Sequence, residues 1–350
     1  MKTVHVSAST EYDIFIGRDL LRFTGLLIQP LTKAEKVAVV SDTNVWPLYG
    51  EKVLSSLKAA GFEALSFVFE AGESSKNGDT YLSLLNFLAC GKITRSDLLI
   101  ALGGGVVGDL TGFAAATYLR GIGYIQIPTT VLAAVDSSVG GKTAIDLPAG
   151  KNLVGAFYQP QLVLCDLDTL NTLPDEIFRD GCAEVIKYGI LYDEKLFTHL
   201  QKYGLNFDRE YVITRCVELK RDVVAEDEFD RGSRQKLNLG HTIGHAIEGC
   251  SSYQISHGKA VAAGIAIVAR CAERHSFCTA RTKSIIESIL AQFRLPVGTT
   301  YSAAQLTQVA LSDKKRSGAT VNLIIPREIG CCEIDKYPVE QLCSFIEAGL

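Results

Sequence analysis

Residues 96–109 read SDLLIALGGGVVGD. An unbroken apolar run, Leu98 to Leu102, stops in three glycines, and the chain then resumes with helical spacing. A run of that length, apolar at every position rather than at alternate ones, suits a strand buried on both faces of a parallel sheet. Gly103-x-Gly105-x-x-Gly108 then allows the backbone to approach a diphosphate, whose charge a helix N-terminus favours. Alone, the pattern is equally explained by a tight strand-to-helix turn.

Working outward, the same alternation repeats. "KVAVVSD" (36–42) is an apolar run closed by turn residues, and "NVWPLYGEKVLSSLKAAG" (44–61) has helical spacing up to Gly61. "EALSFVFEAG" (63–72) and "NGDTYLSLLNFLACGK" (77–92) form a second strand and helix, and "GYIQIPTT" (123–130) reads as a fourth strand after the glycine turn. The N-terminus alternates as a strand does. This repetition predicts an open parallel α/β sheet with ligands at the C-terminal strand ends. Those ends carry suitable groups: Asp42, then Glu73 and Lys76, then the glycines, then Thr129 and Thr130. The glycines follow the third strand of this series, whereas a standard dinucleotide unit has them after the first.

Beyond about residue 172 the pattern is helical, through 173–204, 210–228 and the segments GHTIGHAIEGC, HGKAVAAGIAIVARCAERH and ARTKSIIESILAQF, with a short strand pair near "TVNLIIP" (320–326). The expected organisation is α/β: residues 1–172 a Rossmann-like parallel-sheet domain, residues 173–350 a mainly α-helical domain. At 21% charged residues and a net charge of −4, the chain has no basic excess, which argues against a nucleic-acid partner. No segment is long and apolar enough for a membrane span, and the N-terminus lacks the apolar run of a signal peptide. With ten scattered cysteines and no CxxC, reduced thiols and a cytoplasmic protein are expected.

Three of the six histidines, His241, His245 and His257, fall within seventeen residues. His241 and His245 share a helix face; either both bind a metal, or one does while its neighbour faces a substrate. A catalytic ion needs three protein ligands and an open position. The best upstream candidate is Glu184, which shares an apolar helix face with Lys187; a buried Glu–Lys ion pair is the plainer explanation of that couple. A scattered basic set, Lys142, Lys151, Lys220, Arg221, Arg231, Arg234, Lys236, Lys314, Lys315 and Arg316, with Asn152 beside it, suits a substrate bearing carboxylate and phosphate. Taken singly, each is most simply a solvated surface charge, except Lys142 in the loop-like VDSSVGGKT.

These blocks together resemble the 3-dehydroquinate synthase family of sugar-phosphate cyclases. The resemblance runs nearly the whole chain, through SDTNVW, GESSK, ALGGGVVGDLTGFAAATYLRGI, QIPTTVLAAVDSSVGGKTAID, GKNLVGAFYQP, TLP, GCAEVIKYG, LNLGHTIGHAIE, HGKAVAAG and DKK. It implies a divalent metal, usually zinc, with cobalt the alternative, on Glu184, His241 and His257, with His245 facing the substrate. It implies NAD held by Asp42 and Asn44, by Ala71, Gly72, Glu73, Ser74, Ser75 and Lys76, and by Gly105, Val106, Val107, Gly108 and Asp109. Thr129, Thr130, Lys142, Lys151, Thr169, Leu170, Asn171 and Thr172 complete that set. Substrate contacts are implied for Arg120, Asp136, Lys142, Asn152, Lys187, Lys220, Arg234, Asn238, His245 and Lys314 or Lys315, with Arg120 serving the neighbouring subunit of a homodimer.

The implied reaction converts 3-deoxy-D-arabino-heptulosonate 7-phosphate to 3-dehydroquinate and phosphate, a step of aromatic amino acid biosynthesis. It proceeds by transient oxidation at C5, phosphate elimination, re-reduction, ring opening and intramolecular aldol closure, which makes a lyase of an enzyme with a redox step. One departure stands out: where the family pattern HGEAVA has an acid, this chain has Lys259. Two other classes remain open on the residues. An NAD- and metal-dependent polyol dehydrogenase of the glycerol type would not need the basic set, and a sister cyclase would not need residues suited to a carboxylate.

Overall fold

The structure is a computed structural model describing residues 1–312 and 319–350. It divides into two compact units, Met1–Leu173 with Arg209–Phe229, and Pro174–Asp208 with Asp230–Leu350.

The first unit runs β1 (Lys2–Val6), β2 (Tyr12–Gly17), α1 (Thr24–Ile28), β3 (Lys36–Asp42), α2 (Trp46–Ala59), β4 (Glu63–Phe69), α3 (Gly78–Cys90), β5 (Leu98–Gly103), α4 (Gly105–Thr117), β6 (Gly123–Pro128), β7 (Lys142–Leu147), β8 (Gly150–Phe157) and β9 (Leu162–Asp166). Two helices of the second unit follow, α5 (Asp175–Tyr192) and α6 (Glu194–Tyr203), before α7 (Arg209–Glu226) rejoins the first. Seven strands form one sheet in the order β1-β2-β9-β6-β5-β3-β4, while β7 and β8 pair as a separate hairpin. Only β1–β2 is antiparallel within the large sheet.

The unbroken apolar runs behave as a doubly covered sheet requires, since successive side chains point to opposite faces. Val37 and Val39 of β3 join Leu21, Ile28, Val53 and Leu57 on the side of α1 and α2. Ala38 and Val40 join Leu84, Leu88, Leu110 and Ala114 on the side of α3 and α4. Each fully buried Val or Leu contributes on the order of 1.5–3 kcal/mol. Asp97, just before β5, ties two strand starts together by accepting N–H groups from Glu35, Lys36 and Thr94. Because β4, β3, β5 and β6 are parallel neighbours, their C-terminal ends lie side by side.

The second unit adds α8 (His241–Cys250), α9 (His257–Arg274), α10 (Ala280–Gln292), α11 (Ala303–Ser312), β10 (Thr320–Glu328), β11 (Cys331–Pro338) and α12 (Leu342–Gly349). Helix α9 is buried nearly throughout from Ala260 to Ala272, with α5, α8, α10 and α12 packed around it. Its Ala and Gly residues permit that crowding.

Several expectations change. The alternating N-terminus is two strands rather than one, and β9 and the β7–β8 hairpin went unread. The helical stretch 173–204 is two helices, broken at Asp193, whose carboxylate caps α6 by accepting Leu196 N–H at 2.9 Å. Segment 210–228, expected in the helical domain, belongs to the first unit, where α7 packs against β1, β2 and the turn Ala133–Ser137. Helical spacing shows which face is buried and not what covers it. Among the described residues none of the ten cysteines is in a disulfide. Among the described residues no helix is long and apolar enough to cross a membrane.

Candidate active site

Helix α5 buries two charged side chains in an apolar face. Glu184 and Lys187 are each 1% exposed, and the Lys187 ammonium sits on Glu184 Oε2. Neither Glu184 oxygen accepts a well-aligned hydrogen bond, an expensive arrangement for a buried carboxylate unless something else uses it. His241 opens α8 and His257 opens α9. Their Nε2 atoms lie 3.5 and 3.4 Å from the same oxygen, Glu184 Oε1. One donor atom from each of the three residues falls within 4.8 Å of the others. A tetrahedral ion with bonds of about 2.1 Å holds its donor atoms roughly 3.4 Å apart, so this carboxylate and two imidazoles fit a zinc-type ion and leave a position open.

Both rings are tied on their far side. His241 Nδ1 lies 3.0 Å from the Leu239 carbonyl, and His257 Nδ1 lies 3.3 Å from Glu248 Oε2. Burial disfavours charge on the His257 ring, but Glu184 and Glu248 on either side outweigh it and push its pKa up to about 10. His245 lies outside the Glu184 set and joins a second grouping with Glu248 and His257.

The backbone explains the spacing. Gly240 has φ +76°, and a Cβ there would fall 2.8 Å from both the Ile265 nitrogen and the Val261 carbonyl oxygen of α9. Helices α8 and α9 therefore meet backbone to backbone, which brings their first histidines together. Asp180, one turn before Glu184 on α5, accepts N–H from Gly258 at 3.1 Å and Lys259 at 2.9 Å, and the Ser256 hydroxyl at 2.5 Å. A cap for α9 is thus supplied by the helix that carries Glu184, which fixes His257 against it. Lys259 turns away and pairs with Glu176. Sequence reasoning missed Asp180 and Glu248. The available signal was an acidic residue in an apolar helix, one turn before Glu184 and two turns after His241 respectively.

Arg234, 1% exposed, and Asn238 lie on the 3-10 segment Ser233–Asn238. Lys314 and Lys315 lie outside the described residues.

In the first unit the expected residues gather at the aligned strand ends. Asp42 Oδ1 accepts the N–H groups of Asn44 and Val45, both at 2.9 Å, and closes the turn after β3. After β4, Ala71, Gly72, Glu73, Ser74 and Ser75 lead into buried Lys76. The Lys76 ammonium is 2.5 Å from both Asp109 Oδ2 and Asn152 Oδ1. Burial works against its charge, but Asp109, Glu73 and Asp146 more than offset this and raise its pKa. Lys151 reaches Glu73 at 3.5 Å.

Gly105, Val106, Val107, Gly108 and Asp109 open α4, which packs on β6. Thr129 is buried with its hydroxyl lacking a hydrogen bond, while the Thr130 hydroxyl accepts Ala133 N–H. Thr169, Leu170, Asn171 and Thr172 span the turn after β9, where Tyr49 bonds Thr169 and Thr172. Lys220 of α7 donates to the Asp136 carbonyl at 2.7 Å and pairs with its carboxylate. Lys142 is exposed at the start of β7, and Arg120 is exposed in a left-handed turn with Leu119.

The family models for the 3-dehydroquinate synthase N-terminal and C-terminal regions match residues 66–180 and 181–316. The chain belongs to the 3-dehydroquinate synthase family. Relatives described as 3-dehydroquinate synthase, from Streptococcus suis strain 05ZYH33 and from Clostridium acetobutylicum, are 44% and 42% identical; the alignments cover 97% and 99% of this chain and 98% and 99% of theirs. A solved 2-deoxy-scyllo-inosose synthase complexed with carbaglucose-6-phosphate, NAD+ and Co2+ is 25% identical, with TM-score 0.90 over all of both chains.

Proposed function

We propose that this enzyme converts 3-deoxy-D-arabino-heptulosonate 7-phosphate to 3-dehydroquinate and phosphate, using catalytic NAD and a divalent metal. The observation that carries the site assignment is the placement of His241 and His257 Nε2 at 3.5 and 3.4 Å from one buried oxygen of Glu184. When bound, NAD supplies a reversible hydride acceptor and the metal a Lewis acid that polarises a substrate hydroxyl.

Glu184, His241 and His257 hold the ion. The Lys187 ammonium pairs with the Glu184 carboxylate beside it and balances its charge. His245, on the face of α8 next to the triad, binds the substrate phosphate and passes a proton through its imidazole. Arg234 and Asn238 bind the substrate carboxylate, and Lys142, Asn152, Lys220 and Asp136 contribute anion and hydroxyl contacts. Arg120 serves a neighbouring subunit, a role its exposed turn leaves open. Residues at the ends of β4, β3, β5 and β6 would hold the dinucleotide, and the N-terminus of α4 at Gly105 would take its diphosphate. Zinc is the ion that the His–His–Glu set favours.

The test follows phosphate and dehydroquinate together in zinc-loaded protein given the heptulosonate phosphate and substoichiometric NAD. Equal amounts of both products with no lasting absorbance near about 340 nm support the assignment. NADH accumulating in step with substrate loss would instead mark a polyol dehydrogenase.

A further inference from the structure

Glu248 is one of the most deeply buried acids in the second unit, at 2% exposure, and neither the family blocks nor the metal triad gives it a task. It lies seven residues after His241 on α8, on the same face, and its carboxylate reaches the other candidate ligand, His257, at Nδ1. A carboxylate only accepts hydrogen bonds, so the proton at that contact belongs to His257 Nδ1. In a neutral ring this leaves the lone pair on Nε2, the atom directed at Glu184. His241 is arranged in parallel: the Leu239 carbonyl, also acceptor-only, fixes the proton on Nδ1 and frees Nε2. The two rings present matching nitrogens because each is held from behind by an acceptor.

We propose that Glu248 is a positioning residue for the metal centre, holding His257 in the Nδ1–H tautomer and in the orientation that ligates through Nε2. Helix α8 then carries one ligand and the support of the other. This rests on the metal reading above. The competing arrangement is also visible, because His245, Glu248 and His257 could themselves surround an ion, in which case Glu248 would be a ligand.

The experiment measures zinc affinity by competition with a chromophoric chelator in the wild type, Glu248→Gln and Glu248→Ala. In the zinc-loaded proteins it also observes the His257 Nδ1–H proton by nitrogen-15 NMR. Loss of such a support weakens metal binding by about 10–100-fold, and Glu248→Ala should fall in that range and lose the protected Nδ1–H signal. Glu248→Gln keeps an acceptor oxygen of the same reach, so it should retain the signal and recover most of the affinity. Folding of both variants is checked by circular dichroism; Glu248→Gln, nearly isosteric, keeps the comparison decisive if Glu248→Ala unfolds.

Unchanged affinity in Glu248→Ala overturns the proposal. So does a loss in Glu248→Gln as large as in Glu248→Ala, or losses beyond about 1,000-fold in both, which mark a ligand rather than a support. A wild type that binds no zinc overturns the metal reading itself, and the proposal with it.

Discussion

Substituting Gly240 by alanine tests the claim that backbone crowding between α8 and α9 sets the distance between two metal ligands. The new Cβ would fall 2.8 Å from Ile265 N and Val261 O and 2.6 Å from Ile265 Cγ1. Ordinary contact needs about 3.4 Å, so the helices must separate by roughly 0.6 Å, in a core that tolerates little overpacking. A left-handed conformation costs a residue with a Cβ about 1–2 kcal/mol, and overpacking adds about 1–3 kcal/mol, for a total near 2–5 kcal/mol. In units of this size Tm falls by about 2–4 °C per kcal/mol, giving an expected drop of roughly 4–20 °C in chelator-treated protein.

The ligand effect is separate. Metal–ligand distances tolerate about ±0.2 Å, so a shift of roughly 0.6 Å between His241 and His257 should weaken zinc binding at least about tenfold. Thermal unfolding and chelator competition measure the two losses. Gly298→Ala is the control, because its nearest neighbour would be Arg270 Nη1 at 3.8 Å. The reasoning is refuted if Gly240→Ala matches that control in both assays, or if Tm falls while zinc affinity stays at the wild-type value.

Other consequences are equally open to measurement. In metal-free protein the His257 pKa is raised from 6.5 to about 10. Its proton therefore stabilises the fold fully below 6.5, and that contribution is lost as pH rises through about 10. Zinc must displace this proton, so chelator competition should show affinity rising between about pH 7 and 9, and a pH-independent affinity over that range would contradict it. Asp97 accepts four hydrogen bonds; burial raises its pKa, but the N–H groups of Lys36 and Thr94 prevail and lower it. Its contribution is present above the ordinary carboxylate pKa and lost as pH falls through the depressed one, so Asp97→Ala should cost at least about 1–3 kcal/mol near neutrality and less in acid urea titrations. Lys259 pairs with exposed Glu176 rather than facing the ion, so Lys259→Ala should change zinc affinity by less than about threefold in the same competition.

How far the sequence reached depends on which interactions it encodes locally. The runs KVAVVSD and DLLIALG read as buried strands because they are apolar at every position, and both are central in the sheet. Strand β9, five residues long, gave too short a run to separate from a turn. The return of α7 to the first unit is a long-range contact that periodicity cannot carry. Glu184 was legible because an acid and a lysine three apart on an apolar helix need an explanation. Choosing between His245 and His257 as the second imidazole lay beyond spacing alone, since the answer depends on how α8 crosses α9. Glu248 and Asp180 escaped notice because their partners are 9 and 76–79 residues away in sequence.

The central claim is that one carboxylate and two imidazoles grip a single ion, and anomalous diffraction at the zinc edge from zinc-loaded crystals tests it most directly. The account predicts one strong peak about 2.0–2.2 Å from a Glu184 oxygen and from the Nε2 atoms of His241 and His257. A peak seated instead among His245, Glu248 and His257, or no peak at either place, would contradict it.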